Sequence, residues 1–391
     1  MLDKVLYTHS KLNDIRHIYY PYKTAMKLFV ELIQIALNNR AELSQTPTDN
    51  QWQTIFALAK KQALLGITYA AVEQLPAAQR PPRMLLLQWG VIAERIKERN
   101  EELNSKIPTI SQRFHNDGFR NLILKGQAVA RYYEQLNLHQ LRTPGDVDMW
   151  FDGRREDVIS YVRQVSPECH AVYHHIDYPQ IDGVHIEIHF TPSWMNSYFT
   201  NKRLQQFFDE SKESLFSQCT MGAESTIPTT SLAFDRIYIL VHIYRHLFHE
   251  GMGLRQIMDY YFVLTQGFTE AERAATVKQL HSLKMYRFTG AIMWIMQEIF
   301  GMDSRYLLVP PIEKEGRFLL QEIMISGNLG LHDQRLSRKS TDSDLAYGLR
   351  KVKRNFRFIR SYPSEVLWSP LFKVWHYLWR RRINRLTSTT L

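Results

Sequence analysis

Two aspartates separated by one residue, Asp146 and Asp148, stand in the segment Gly145-Asp146-Val147-Asp148-Met149-Trp150. The apolar Val147 and Met149 alternate with them, which is the period of a strand, and residues two apart on a strand share a face. Carboxylates held so close repel, and burying one unpaired is costly. A divalent cation relieves both problems, and Mg²⁺ takes carboxylate oxygens while leaving positions for phosphate oxygens. A third carboxylate lies in Val184-His185-Ile186-Glu187-Ile188-His189, where Glu187 alternates with two isoleucines. If the two strands are neighbours, three carboxylates converge, as a two-metal phosphoryl-transfer site requires. The same residues also admit a solvent-facing edge strand, or a zinc site on the histidines that flank Glu187.

Upstream, Leu124-Lys125-Gly126-Gln127 joins an apolar run to a helical pattern. Glycine lets backbone approach a phosphate, a helix start favours anions, and Lys125 adds a point charge. An ordinary tight turn with an exposed lysine fits the same residues. Arg142, four residues before Asp146, has the donor fork that clamps a phosphate, or that pairs with Asp146. His242, His246 and His249 share one face of a helix spanning Ser231 to Glu250. Three ligands so spaced on one helix strain a zinc site, so that face is expected to pack on the catalytic unit. Arg255 and Asp259, four apart, suit a helix pair.

These residues need elements to hold them. Ala25–Leu37, Trp52–Ala59 and Leu64–Val72 have helical apolar spacing, and a charged helix follows from Met84 to His115, kinked or interrupted at Pro108. After Asp117-Gly118 the pattern changes. Phe119–Leu124 reads as a strand, Gly126–Tyr133 as a helix, and Arg154–Val165 as a helix. Strands are expected at His170–Ile176 and Val184–Phe190, joined by the turn formers from Tyr178 to Gly183. Helices follow at Ser231–Glu250, Leu254–Leu264, Glu270–Leu283 and Phe288–Ile299.

The order of these motifs resembles the nucleotidyltransferase superfamily with the DNA polymerase β-like fold, and within it a family of uncharacterised bacterial nucleotidyltransferases. The resemblance rests on Ile123-Leu124-Lys125-Gly126, on Arg142 to Asp148, and on His242, His246 and His249 ahead of Gly253-Leu254-Arg255 and Asp259. It spans residues 20 to 265, and the motif order is also similar to that of AbiEii-type toxins. The chain departs from the superfamily in carrying Gln127 after Gly126 and Glu187 where aspartate is common. The resemblance implies an α+β protein. Its small α/β nucleotidyltransferase core, residues 106–222, lies between an N-terminal helical region, 1–105, and a C-terminal helical region with a basic tail, 223–391. It implies transfer of a nucleoside monophosphate from a nucleoside triphosphate, ATP among them, to a hydroxyl acceptor by two-metal catalysis with two Mg²⁺ ions. Asp146, Asp148 and Glu187 would be catalytic and metal-binding. Lys125, Gly126, Gln127 and Arg142 would bind nucleotide, and His246, Arg255 and Asp259 would face the cleft. The alternative is a non-catalytic nucleotide- or RNA-binding module that keeps the fold.

Composition bounds the rest. The chain has 391 residues, 45% apolar and 23% charged, which suits a folded protein of two or three domains. Two distant cysteines, Cys169 and Cys219, exclude a disulfide scaffold and fit a reducing compartment. The first 14 residues lack the apolar run of a secretory signal, and no apolar stretch is long enough to span a membrane, so a cytoplasmic protein is expected. The net charge of +10 is confined to residues 331–391, with 14 lysines and arginines against 4 acidic residues. Residues 345–386 therefore offer a surface for nucleic acid or an anionic membrane, or a closing helix whose arginines complement the helix dipole.

Overall fold

The computed structural model describes residues 16–217, 227–336 and 344–386. The N-terminal segment up to residue 14, Cys219, the boundary at 222 and the side chain of Arg385 lie outside the described residues.

Four helices come first: α1 (Arg16–Ala36), α2 (Asp49–Lys61), α3 (Leu65–Gln74) and α4 (Arg83–Asn116). α4 begins after Pro82 and continues through Pro108, where a kink or interruption was expected. Packing on both sides of the proline holds it as one helix. Leu85 and Trp89 are buried among the N-terminal helices, while Leu103, Ile107, Ile110 and Phe114 are buried against the sheet. The helix thus crosses residue 105 unbroken and ties the helical region to the α/β unit.

That unit is a four-stranded sheet of β1 (Asn121–Leu124), β2 (Val147–Phe151), β3 (His175–Ile181) and β4 (Val184–His189), in the order β1-β2-β4-β3. β2 and β4 are parallel and the outer pairings antiparallel. α5 (Gly126–Ala130) follows β1 and gives way to 3-10 turns, Arg131–Leu136 and His139–Leu141, shorter than the single helix expected to Tyr133. α6 (Arg155–Val165) links β2 to β3. The hairpin is displaced from its expected place: the strand runs to Ile181 and only Asp182 and Gly183 turn. Both have positive φ, 49° and 77°, as a two-residue hairpin turn requires. Pro179 is accommodated because β3 is an edge strand.

Eight helices complete the described chain: α7 (Tyr198–Ser217), α8 (Leu232–His249), α9 (Leu254–Thr265), α10 (Glu270–Ser282), α11 (Tyr286–Phe300), α12 (Glu313–Ser326), α13 (Asp344–Phe356) and α14 (Pro363–Leu386). α7 and α12 are additional to the helices expected from the sequence. α8 starts where expected, with the Ser231 hydroxyl accepting from the Phe234 amide. Among the described residues no helix is long and apolar enough to cross a membrane.

The two faces of the sheet have different neighbours. Val147, Met149, Phe151, Ile186 and Ile188 pack with α4 and α6. On the other face Trp150 stacks on Phe234 of α8 and meets Phe208 and Phe216 of α7 edge-on. Asp148 shares the parity of Trp150, so it faces α8.

Candidate active site

Strand register brings the first two carboxylates together. Asp148 pairs directly with Glu187 across the parallel β2–β4 ladder, and Asp177 and His175 of β3 lie opposite Glu187 and His189. Asp148 is 1% exposed and ringed by cations: Lys125 Nζ is 2.9 Å from Oδ2 and His189 Nε2 is 2.9 Å from Oδ1. His189 also lies 3.4 Å from Glu187, which is 3.5 Å from His175 Nδ1. The ligand atoms of Asp148, Glu187 and His189 lie within 4.8 Å of one another. Asp146 precedes β2 with the same parity and lines the same cavity, exposed at its rim. His189 therefore occupies the convergence point expected for Asp146. The zinc pairing considered for His185 and His189 does not form, since His185 is exposed and bonded to Gln180.

Charge follows this geometry. Burial would raise the Asp148 carboxyl, but Lys125 and His189 outweigh it and hold it well below the usual carboxylate range. Burial alone would lower His189, yet its bonds to Asp148 and Glu187 push it up. Lys125 is likewise raised, the three carboxylates overcoming desolvation. Glu187 is raised, by burial first and by the Asp148 charge as well. Asp148 is thus the fixed negative charge and Glu187 the carboxylate that takes up a proton more readily.

Lys125 and Gly126 sit in positive φ, 35° and 49°. For lysine that conformation is strained, and such strain is retained at functional sites by the surrounding packing. It aims the Lys125 ammonium at the carboxylates rather than into solvent. α5 is only five residues long and offers little helix dipole, so the positive charge at this junction is the Lys125 ammonium.

Two residues expected to contact nucleotide are bonded to the protein itself. Gln127 is buried against α4, its amide donating to Asn104 at 2.9 Å and Asn100 at 3.2 Å. Arg142 pairs neither with Asp146 nor with an open position. Its fork is bidentate on Asp259, Nε at 2.7 Å and Nη2 at 2.8 Å, and Tyr133 donates to the same carboxylate at 2.6 Å. Asp259 is therefore the partner of Arg142 rather than of Arg255, which donates to the Thr143 carbonyl at 2.9 Å. Sequence spacing favoured the helix neighbour, but the fold brings a buried arginine, 3% exposed, from the β1–β2 connection.

α8 supplies the wall facing the sheet. His246 Nδ1 is 2.7 Å from Glu250 Oε2, and its Nε2 is 2.9 Å from His242 Nε2. His249 meets Asn196, and Arg245 contacts His174 at 2.7 Å while lying over the Trp194 ring. Between the walls is a cavity of about 440 Å³, lined by Lys125, Gly126, Asp146, Asp148 and Glu187 on one side and by the α8 residues on the other. Arg142, Arg255 and Asp259 line it too. Sequence reasoning missed His174, His175, Arg245 and Trp194, and weighed His189 only as a zinc ligand. His189 carried a signal, since it shares the parity of Glu187, but the others needed the strand register and the placement of α8.

The family described as uncharacterised nucleotidyltransferase matches residues 48–301, and the chain belongs to it. No curated protein and no solved structure matches the chain. The matched span contains every cavity residue named above.

Proposed function

We propose that this nucleotidyltransferase moves a nucleoside monophosphate from a nucleoside triphosphate to a hydroxyl acceptor inside the cavity between the sheet and α8. The observation that carries the proposal is the in-register pair Asp148 and Glu187, facing the cavity beside the Lys125 ammonium. Two converging carboxylates with a third, Asp146, at the rim form a hard oxygen donor set, and the cations already seated on Asp148 mark a place built for positive charge. The residues present therefore fit Mg²⁺, with Asp146, Asp148 and Glu187 to hold two ions. When bound, Mg²⁺ neutralises phosphate charge and activates the α-phosphate towards attack. The chain's own part is positioning and electrostatics. Lys125, at the cavity wall beside Asp148, would supply a positive charge to the triphosphate. His189 orients Asp148 and Glu187. Glu187, the more basic carboxylate, faces the site where the acceptor hydroxyl loses its proton. Arg142 and Asp259 brace the wall without touching the nucleotide.

The test is label transfer. Each α-labelled nucleoside triphosphate is incubated with Mg²⁺, the protein and a cell lysate, for wild type and for Asp146→Asn. Labelling that is lost in the variant supports the proposal. Stabilisation by Mg²⁺–triphosphate without any transfer would favour the non-catalytic module.

We further propose that α14 seats the protein on an anionic bilayer. Phe372, Trp375 and Trp379 of α14 face Tyr173 on the body, yet Leu367, Leu371, Val374 and Leu378 form an opposite stripe 59–62% exposed, leading into the exposed Arg381 and Arg382. An apolar stripe ending in arginines complements acyl chains below anionic headgroups. Nucleic acid suits the tail less, because two cations of the expected basic segment are already engaged. Arg354 is buried on the Leu247 carbonyl and Arg357 pairs with Glu322 at 2.7 Å. Sedimentation with phosphatidylcholine vesicles, with and without phosphatidylserine, tests this. Binding that needs phosphatidylserine and disappears in Leu371→Glu supports it, and binding to RNA or self-association through the stripe overturns it.

A further inference from the structure

The wall formed by α8 holds a row of groups that the reaction above does not use. Glu250, His246 and His242 are linked in sequence, carboxylate to Nδ1 at 2.7 Å and Nε2 to Nε2 at 2.9 Å, and all three line the cavity with Lys125 and Asp148. Their hydrogens follow from their partners. A carboxylate only accepts, so His246 carries its proton on Nδ1. A neutral imidazole has one N–H, so His246 Nε2 accepts and His242 Nε2 donates to it. His242 Nδ1 is left with a lone pair, and the hydrogen bonds among the described residues give it no partner. Both rings are kept neutral. Burial lowers each, and the charges of Arg245 on α8, Lys125 after β1 and His189 on β4 oppose a second proton on His242. Tyr238, one turn earlier on α8, is the other titratable neighbour of His242.

We propose that His242 Nδ1 takes the proton of the acceptor hydroxyl, with His246 and Glu250 as positioning residues behind it. The inference rests on the nucleotidyl-transfer reading above and deepens it. The acceptor O–H bond breaks and its proton goes to His242 Nδ1. The oxygen electron pair forms the bond to the α-phosphorus, and the bond from that phosphorus to pyrophosphate breaks. The Nε2 proton of His242 passes to His246 Nε2, and the His246 imidazolium so formed is held by the Glu250 carboxylate, whose pairing with His246 keeps it well below the usual carboxylate range. Positive charge therefore does not remain on His242 near Lys125 and Arg245. Glu187 then faces the acceptor hydroxyl from the sheet side without taking its proton. A base of this kind also selects the acceptor class. It serves an alcohol or ribose hydroxyl, whereas an ionised phosphate or carboxylate has no proton to give.

Side-chain nitrogen NMR on the full chain labelled with ¹⁵N-histidine tests the tautomers without any substrate. His242 should be protonated at Nε2 and bare at Nδ1 at neutral pH, and Glu250→Leu should release that fixed state. A protonated His242 Nδ1 in wild type overturns the proposal. In label transfer, His242→Gln should slow the reaction about 100-fold or more and lose the acidic limb of the pH–rate profile, with added imidazole restoring part of the rate. Transfer by His242→Gln at the wild-type rate, beside an inactive Asp148→Asn, also overturns it. An active Asp148→Asn, or a wild type that labels nothing, instead overturns the reaction on which the proposal rests.

Discussion

The two walls of the cavity manage charge in opposite ways. On the sheet, Asp148, Lys125 and His189 hold their charges through pairing, with Lys125 and His189 each 2.9 Å from Asp148. On α8, His242 and His246 stay neutral because burial outweighs their partners. The proposed reaction uses one wall for cations and phosphate and the other for a proton. The difference teaches that a like number of titratable groups can serve unlike chemistry, depending on whether each charge is buried with its counter-charge or without one.

The largest effects separate two aspartates that sequence treats alike. Asp146→Asn and Asp148→Asn should each slow transfer on the order of a thousandfold, as removal of a metal-binding charge does. Their stabilities should diverge. Asp146 is exposed, so its variant should melt as wild type does. Asp148 is buried under Lys125 and His189, and its loss leaves those cations uncompensated, a penalty of about 3 kcal/mol. Relief of carboxylate repulsion, which spacing alone suggests, is the smaller effect. Urea unfolding of both variants checks this, and equal stability would break the picture of a paired sheet wall.

The helix wall makes a prediction in pH. His249 is lowered to about 3, by burial first and then by Arg245. In the unfolded chain it takes its proton near the ordinary value of about 6.5. Between those two values the unfolded state binds more protons, so stability rises with pH there, and it is fully present above about 6.5. On acidification stability should fall through this window and level off only near 3, with His242 and His246 shifted in the same direction. His249→Gln should remove about one proton from the slope of stability against pH. An unchanged slope would mean that α8 opens to solvent before the chain unfolds.

Much of the sheet wall was legible in the sequence, because strand parity is a strict period of two. It placed Asp148 and Glu187 on one face, although the β2–β4 adjacency came only from the fold. The helix wall was half legible. Periodicity put His242, His246 and His249 on one face, but Glu250 as their anchor and Arg245 against His174 depend on rotamers and on a neighbour 71 residues away. Arg142 shows the limit most clearly. Its spacing from Asp146 suggested a local partner, and the buried carboxylate it holds is 117 residues distant. Burial and long-range pairing decide such contacts, and neither leaves a periodic mark.

The smallest effects sharpen the sheet wall at its edge, where Lys125 and Gln127 flank Gly126. Both belong to the motif that sequence assigns to nucleotide binding, but only Lys125 lines the cavity. Lys125→Ala should weaken binding of Mg²⁺–triphosphate about tenfold, the loss of one charged contact to phosphate, of about 1.4 kcal/mol. The melting increment given by a fixed ligand concentration should shrink accordingly, since stabilisation by a ligand follows its affinity. Gln127→Ala should leave that increment intact. It removes hydrogen bonds to Asn100 and Asn104 within the α4 contact, so the unliganded protein should lose about 1 kcal/mol instead. Thermal melts of both variants, with and without Mg²⁺–triphosphate, separate binding from packing. A reduced increment in Gln127→Ala, with an unchanged one in Lys125→Ala, would reverse the assignment of these two residues and move the phosphate to the α4 side of Gly126.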